Sequence, residues 1–484
     1  MAPIAHYGRS AYTERQAVGR NDPLERAEGE RIVTEWAPGA LGGGPRYLRI
    51  VDALEADIAA GRVGPGARLP PQRELAERLA FSVGTVSKAY AEAERRGLIA
   101  GEVGRGTFVR RRQRNGADPL APVNLALNAP PPTGAEALIA STLAEIARDE
   151  DFAAFTGYLP HQGLRHHRAA MGQWLQAQGI DASPASLFVT HGAQHALAIS
   201  LAMVAGRGDI VLTEAATYSG MLALSAYSGV RLHGVEMDEE GVRPDALARA
   251  FATTGARVFY STPTLQTPTS IVTGEGRRRE IAEIVRREDA WLIEDDAYAF
   301  LFDKPPAPIS MLIPDRAFYA VSFAKCLAPG LRVGAMLAPA ALRDRVLNAL
   351  RATGWMAAPI MAEVVTRLIA NGGLARQVSL KREKAAVRYE IARRILEDRL
   401  RIQCPTPGFH VWAALPEGRL VTALVAEAAL AGVSIAGAAP LLPLNAAMAG
   451  VRLCLGAPQS EAELESALRR VKALLENSQT LSLV

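Results

Sequence analysis

The sequence predicts two folded parts: a small winged helix-turn-helix near the N-terminus and a large α/β domain around a mainly parallel sheet. Three observations carry this. Between residues 46 and 112, three short helical patterns precede two short strand patterns around Gly104-Arg105-Gly106. From about residue 133, short apolar strand patterns alternate with helical ones, as expected for strands joined by crossover helices. The charge is also uneven. Residues 46–114 hold fourteen Lys and Arg against eight Asp and Glu, a net of +6, while the rest carries 40 basic against 42 acidic residues, a net of −2. A basic module joined to a near-neutral one points to a polyanion-binding part and a part with another task.

The 484 residues are 49% hydrophobic and 21% charged, enough apolar matter for large cores. No apolar run reaches the roughly 18 residues of a membrane span. The opening Met1-Ala2-Pro3-Ile4-Ala5-His6 lacks the apolar stretch of a secretory signal. Cys326, Cys404 and Cys454 are too few and too scattered for a disulfide framework or a zinc site. No metal is expected, and a reducing cytoplasm is the expected compartment. Residues 1–45 mix charge, Gly and Pro without a period and are expected to form a flexible extension. Contact of this extension with DNA or a partner subunit is the alternative.

In the basic module, Tyr47, Ile50, Val51, Leu54 and Ile58 recur at helical spacing. Pro70-Pro71 leads into a helix over 72–79, with Leu75 and Leu79 inward. Ser82 suits the N-cap of a third helix in which Val86 and Tyr90 face inward, and Gly97 suits its stop. Leu98-Ile99 and Thr107-Phe108-Val109 read as the wing strands. Gly66-Ala67-Arg68-Leu69-Pro70-Pro71-Gln72-Arg73-Glu74-Leu75-Ala76, Ser82-Val83-Gly84-Thr85-Val86-Ser87-Lys88-Ala89-Tyr90 and Gly104-Arg105-Gly106-Thr107-Phe108-Val109 resemble the GntR-type DNA-binding domain. That resemblance makes the third helix a recognition helix, with Val83, Gly84, Ser87 and Lys88 toward base edges and the capping Ser82 also among the DNA-binding residues. Arg73, Thr85 and Lys88 then suit phosphates, and Arg105 at the wing tip suits the backbone or minor groove. A basic helical domain making protein contacts is the plainer reading of the same composition. The DNA-binding module is bounded at 46–112, a Pro-, Ala- and Asn-rich linker at 113–132, and the α/β domain at 133–484.

Strands are expected at Leu187–Thr190, Asp209–Leu212, Arg257–Tyr260 and Trp291–Glu294. In such folds ligands sit beyond the carboxyl ends of the strands. Several residues of distinctive chemistry follow these segments. The most informative stretch is Ser322-Phe323-Ala324-Lys325-Cys326-Leu327-Ala328-Pro329-Gly330-Leu331-Arg332-Val333-Gly334, a lone lysine between a serine and an arginine in a small, apolar run. A lysine amine condenses with an aldehyde to a Schiff base. This order of residues resembles the lysine site of fold-type I pyridoxal-phosphate (PLP) enzymes, the aspartate-aminotransferase class.

That resemblance implies a role for several further positions. Lys325 would carry PLP as a Schiff base, and Ser322 and Arg332 would hold its phosphate. Thr190-His191-Gly192-Ala193-Gln194 resembles the phosphate-binding turn, with the N–H groups of Ala193 and Gln194 at a helix N-terminus. Tyr218 would stack on the pyridine ring. Thr267, in Thr262-Pro263-Thr264-Leu265-Gln266-Thr267-Pro268-Thr269, stands where the family pattern has asparagine. In Glu294-Asp295-Asp296-Ala297-Tyr298, Asp295 would face the pyridine nitrogen and Tyr298 the 3′-oxygen, with Asp296 structural. Arg452, in Gly450-Val451-Arg452-Leu453-Cys454, would clamp a substrate carboxylate. His410 would line the pocket or serve as a core histidine. A smaller C-terminal α+β subdomain also follows from the resemblance.

A GntR-type winged helix fused to such a domain resembles the MocR subfamily of bacterial transcription regulators. The resemblance implies a homodimeric, PLP-dependent regulator whose aminotransferase-like domain senses PLP, an amino compound, or both, and alters operator binding. The competing expectation is a catalytically active aminotransferase that carries a DNA-binding domain.

Overall fold

The computed structural model describes residues 36–39, 43–59, 62–64, 66–102, 106–109, 122–396, 401–403, 406–415, 418–437, 442–443 and 449–478. They fall into two units divided between residues 119 and 120. In the smaller unit, α1 (Arg46–Ala59), α2 (Gln72–Leu79) and α3 (Val83–Arg95) precede a hairpin of β1 (Ile99–Glu102) and β2 (Gly106–Val109). Ser82 caps α3, its side chain accepting from the Thr85 backbone N–H, as Ser does at N-caps. The hairpin register sets Ile99 opposite Val109 and Glu102 opposite Gly106. The wing tip at Arg105 lies outside the described residues. Ile50, Val51, Leu54, Leu75, Val86 and Tyr90 are buried in one core, and the Tyr90 hydroxyl donates to the Pro70 carbonyl at 2.7 Å.

Trp36, expected within the flexible extension, instead belongs to this core. It is buried, and its Nε1 donates to Asp57 Oδ2 at 2.7 Å. A large aromatic body with one satisfied N–H is what a small core gains most from. The remainder of the extension, residues 1–35, lies outside the described residues.

The larger unit opens with β3 (Val123–Asn124), then α4 (Ala135–Ile146) and α5 (Arg165–Gln176). Its central elements are β4 (Leu187–Thr190), α6 (Ala193–Val204), β5 (Ile210–Glu214), α7 (Ser219–Ser228), β6 (Arg231–Val235), the hairpin β7 (Met237–Asp238) and β8 (Gly241–Val242), and α8 (Pro244–Thr254). These are followed by β9 (Val258–Ser261), α9 (Glu275–Arg287), β10 (Trp291–Asp296), β11 (Ala317–Ser322), α10 (Phe323–Cys326) and β12 (Gly334–Leu337). The main sheet has seven strands in the order β4-β12-β11-β10-β9-β5-β6. Only β12 runs antiparallel to its neighbours, so the sheet is mainly parallel, as expected. Apolar side chains cover both faces, which is why these strands read as near-continuous apolar runs.

Helices α11 (Arg343–Gly354), α12 (Pro359–Ala370) and α13 (Gly373–Leu396) lead to the smaller part. There β13 (Arg401–Gln403), β14 (His410–Ala414), α14 (Val421–Leu430), β15 (Val433–Ser434), β16 (Ala436–Gly437), β17 (Gly450–Cys454) and α15 (Glu461–Ser478) follow. An antiparallel sheet in the order β13-β14-β17-β16 packs on these helices, which is the α+β subdomain that the resemblance implied.

The expected linker ends earlier than residue 132. Val123–Asn124 pairs in parallel with β15, and the Leu125 carbonyl accepts from the Cys454 N–H at 2.8 Å. Asn124 Oδ1 accepts from the N–H groups of Ala126 and Leu127, turning the chain. A Cβ on Gly456 would lie 2.0 Å from the Ala129 carbonyl oxygen, so only glycine admits this close approach. Residues 123–131 thus form a strap built into the larger unit, although their composition reads as a linker.

Candidate functional site

Five parallel strands end at one edge of the main sheet, and the distinctive residues cluster there. β4 leads into the turn before Ala193 and Gln194, and β5 into Tyr218. β9 leads into Thr262–Thr267, β10 carries Asp295, and β11 ends at Ser322 before Lys325. Ala193, Gln194, Tyr218, Thr262, Thr264, Leu265, Thr267, Asp295, Ser322 and Lys325 line one cavity of about 500 Å³, together with Tyr298, Arg332, Arg452 and strap residues Ala126–Ala129. Ala193, Gln194, Tyr218, Thr267, Asp295, Tyr298, Ser322, Lys325, Arg332 and Arg452, separated by up to 259 positions in the chain, therefore meet at one place.

The strand pleat sorts the three acids of β10. Asp295 faces the cavity, while its neighbours Glu294 and Asp296 point to the other side of the sheet, as alternation requires. Glu294 accepts from the N–H groups of Ile309 and Ser310. Asp296 accepts from the N–H groups of Tyr298 and Ala299 and from the Tyr319 hydroxyl. Asp295 accepts from the Tyr260 hydroxyl at 2.9 Å through Oδ2, and its Oδ1 is left without a partner. Burial raises its pKa to about 7, against the opposing Tyr260 hydrogen bond.

Lys325 lies just beyond the end of β11. Burial lowers its pKa to about 8, an effect opposed by Cys454 and Asp295 and reinforced by Arg452. Its Nζ donates to the backbone carbonyl of Asn128 in the strap. A lysine amine closer to neutrality is a better nucleophile than an exposed one. Arg332 takes the left-handed conformation (φ 51°), and its Nη2 donates to the His191 carbonyl at 3.4 Å. A Cβ on Gly192 would lie 3.2 Å from Arg332 Nη2 and 3.8 Å from Ser322 Oγ. The glycine turn, Ser322, Arg332 and the N-terminus of α6 therefore converge, and such a cradle favours an anion.

Opposite this cradle, Arg452 is buried in β17. Its Nη2 donates to the Ala126 carbonyl at 2.8 Å and its Nε lacks a partner. Gln194 Nε2 donates to the Gly220 carbonyl at 2.9 Å, close against Tyr218. Arg278, buried behind the loop, donates to Pro263, Thr264 and Thr273 and so fixes the segment that carries Thr267. His410 sits deeper, contacting the Gln266 carbonyl at 3.3 Å, and burial lowers its pKa to about 3.

Three contributors escaped the sequence reading. Tyr260, one residue before the end of β9, holds Asp295. Thr262 lines the cavity with a buried, unpartnered hydroxyl. Position at a strand end was the available signal for both. Asn128 acts through its backbone carbonyl, for which no side-chain signal exists.

On the smaller unit, Arg73, Ser82, Val83, Gly84 and Lys88 are exposed, and Thr85 and Ser87 are half-buried. Val83 is an apolar side chain 45% exposed at the first position of α3. Four of these side chains are engaged within the unit. The Ser82 and Thr85 hydroxyls bond to each other at 2.9 Å. The Ser87 hydroxyl donates to Gln72 Oε1, tying α3 to α2. Lys88 Nζ lies 4.3 Å from the centre of the Tyr47 ring, a cation–π contact worth little at an exposed site.

The family comparisons match this division. Bacterial regulatory proteins of the gntR family match residues 46–109, and aminotransferase class I and II matches residues 121–471. The chain belongs to the aminotransferase class I and II family and carries a GntR-type helix-turn-helix domain. This pair of domains is that of HTH-type transcriptional regulators with an aminotransferase-like part, consistent with the MocR subfamily.

The HTH-type transcriptional regulator YdeF of Bacillus subtilis is 27% identical over 441 residues, covering 90% of this chain and 95% of that protein. The probable rhizopine catabolism regulatory protein MocR of Rhizobium meliloti is 26% identical, covering 76% and 81%. The 2-aminoadipate transaminase of Thermus thermophilus is 26% identical, covering 69% and 85%. Among solved structures, the α-aminoadipate aminotransferase LysN of Thermus thermophilus shares the fold at a TM-score of 0.68 and 24% identity, over 74% of this chain and 93% of that one.

The lowered pKa of Lys325 predicts its titration. The neutral amine should appear as pH rises through about 8, where an ordinary lysine waits until about 10.5. Competitive acetylation followed by mass spectrometry should show Lys325 gaining reactivity well below the surface lysines. Titration with the bulk lysines would contradict the buried environment described.

Proposed function

We propose that the chain is a DNA-binding transcription regulator whose aminotransferase-like unit holds PLP and responds to an amino compound. The observation that carries the cofactor reading is a set of orphaned polar atoms. Gln194 Oε1, Thr262 Oγ1 and Asp295 Oδ1 are all buried without a partner around one cavity. Leaving one such group unsatisfied costs about 1–3 kcal/mol, so three at one place favour a polar ligand. The residues fit PLP in kind: a nucleophilic amine at Lys325, an anion cradle at Ser322, Arg332 and the α6 N-terminus, and a free carboxylate oxygen at Asp295. When bound, PLP supplies an aldehyde for amines and a ring that withdraws electrons.

The chain's own residues divide the remaining work. Lys325 would hold the aldehyde, and Ala193, Gln194, Ser322 and Arg332 would hold the phosphate. Tyr218 would cover the ring, Tyr298 and Thr267 would serve the 3′-oxygen, and Asp295 the ring nitrogen. Arg452 takes a carboxylate by bidentate pairing. At present Ala126 holds Arg452 and Asn128 holds Lys325, both through neutral carbonyls. A carboxylate is the stronger acceptor for a guanidinium, so ligand binding competes directly with the strap. The strap continues, through residues 110–121, into the DNA-binding module, which offers a covalent route from cavity to DNA contact. The ligand must bind one arrangement of the strap better than the other for this to matter. A second copy of the chain is the expected partner. The exposed pair of Tyr158 and Trp355, tilted rings with centres 5.3 Å apart, supports such an interface.

Footprinting followed by binding measurements tests the DNA reading. Lys88→Ala and Arg73→Ala should each weaken operator binding and lower the salt slope by roughly one unit if each side chain meets a phosphate. Unchanged affinity and slope in both would remove the proposed docking face.

The nearly full set of cofactor residues also favours a second reading, a working aminotransferase. Here Thr267 is decisive. A threonine hydroxyl is shorter than the asparagine amide of the family pattern and fixes the ring less firmly, and proton transfer tolerates little misplacement. The unmodified protein should capture PLP at Lys325, and Lys325→Ala should lose that covalent capture. It should release little or no keto acid from amino acids, while Thr267→Asn should tighten PLP and raise side activity. Steady turnover near a typical enzyme's roughly 10 per second would establish the aminotransferase instead.

A further inference from the structure

We infer that His166, His167 and Glu363 form a site for a divalent transition metal of the zinc class. None of the three lines the cavity described above. The ligand set is two imidazoles from α5 and one carboxylate from α12. His166 Nε2 lies 2.8 Å and His167 Nε2 3.1 Å from the same atom, Glu363 Oε2, and the ligand atoms all lie within 4.8 Å of one another. Adjacent positions on a helix point about 100° apart. Two neighbouring histidines therefore meet on one oxygen only if both rings turn in toward it. Hydrogen bonding to Glu363 needs one of them; the convergence of both points to a cation. In the sequence His167 and Glu363 stand 196 positions apart, which hides the arrangement.

The surroundings fit a metal. Glu363 and His167 are buried, while the His166 side chain is 52% exposed, so one side of the site stays open for water or an exchangeable ligand. The Phe155 ring stacks on His167 at 6.3 Å and meets His166 edge-on at 6.4 Å between centres, which holds both rings in place. Arg367 Nε donates to the other carboxylate oxygen, Glu363 Oε1, at 2.7 Å, and Asp149 in turn pairs with Arg367. The second acid offsets the guanidinium, so the chain Glu363–Arg367–Asp149 keeps one net negative charge for a cation. It also orients the carboxylate from behind, as the outer partners of metal ligands do. Zinc bonds of about 2.0–2.1 Å set tetrahedral ligand atoms about 3.3 Å apart. The exposed His166 reaches that spacing by retreating about 0.5 Å. Two imidazoles select zinc, copper or nickel over magnesium and calcium.

The test uses the full chain without an affinity tag, stripped of metal by a chelator and dialysed, then titrated calorimetrically with zinc chloride alone. Magnesium chloride is the control. The unmodified chain should bind zinc with a dissociation constant on the order of micromolar or below, and should melt at a higher temperature with zinc than without. His166→Gln keeps a hydrogen-bond donor for Glu363 but removes an imidazole. It should weaken this site at least about tenfold while leaving the metal-free melting temperature where it is. A cluster that only ties α5 to α12 by hydrogen bonds gives the opposite result, zinc binding that His166→Gln leaves unchanged. A second measurement needs no variant. Zinc should protect the exposed His166 from diethyl pyrocarbonate, read by mass spectrometry, and magnesium should not. Absence of zinc binding by the stripped chain, equal affinity in His166→Gln, or equal modification of His166 with and without zinc each overturns the site. None of these outcomes touches the PLP or DNA readings.

Discussion

Among the described residues, three basic side chains share the wall of one cavity with a single carboxylate. Lys325, Arg332 and Arg452 line the same space of about 500 Å³ as Asp295; Arg332 reaches solvent, but Lys325 is half-buried and Arg452 buried, and burying charge without full compensation is expensive. Two features ease that imbalance: Lys325 shifts toward neutrality, and backbone carbonyls accept from Lys325 and Arg452. Burial of Asp295 works the other way, raising its pKa to about 7. An anionic cofactor and an anionic ligand would satisfy the same cations better, so the imbalance is what gives the cavity its affinity.

The strap is the part of the molecule where that electrostatic demand meets the chain's connectivity. Its carbonyls at Ala126 and Asn128 hold the two cations that a ligand and a cofactor need. In sequence, its N-terminal end is joined to the helix-turn-helix module. Beyond Pro131, the strap is also held by Lys381, which donates to the carbonyl of Pro131 and to Thr133 Oγ1, both at 3.2 Å. A segment held at several points by hydrogen bonds of ordinary strength can exchange one set for another at small net cost, which is what a responsive element requires.

Much of this was legible in the sequence. The strand Leu187–Thr190 and the helix over 72–79 appear with the bounds that apolar runs and Pro70-Pro71 suggested. The parallel sheet followed from strand and helix alternation. The site was legible wherever a side chain of special chemistry stood at a strand end, as at Asp295, Ser322 and Lys325. It was illegible where the backbone does the work. A run such as Ala126-Leu127-Asn128-Ala129-Pro130 has linker composition, and carbonyl groups leave no mark in the sequence. Trp36 escaped for a related reason: one aromatic in a charged, period-free stretch shows no pattern, although its ring completes the core of the small unit. Ser87 illustrates the opposite error. Its place on the outer face of a recognition helix was legible, but its bond to Gln72 across the turn was not.

The central claim is that occupancy of the cavity changes how the chain binds DNA. The most direct measurement is the dissociation constant for operator DNA of the PLP-loaded full chain, with and without a saturating amino acid that shifts the cofactor's absorbance, in wild type and Arg452→Leu. The account predicts a change of at least about fivefold in the wild type, the lower end of common allosteric coupling, and none in the variant. Equal operator affinity in the wild type with and without bound amino acid would contradict it.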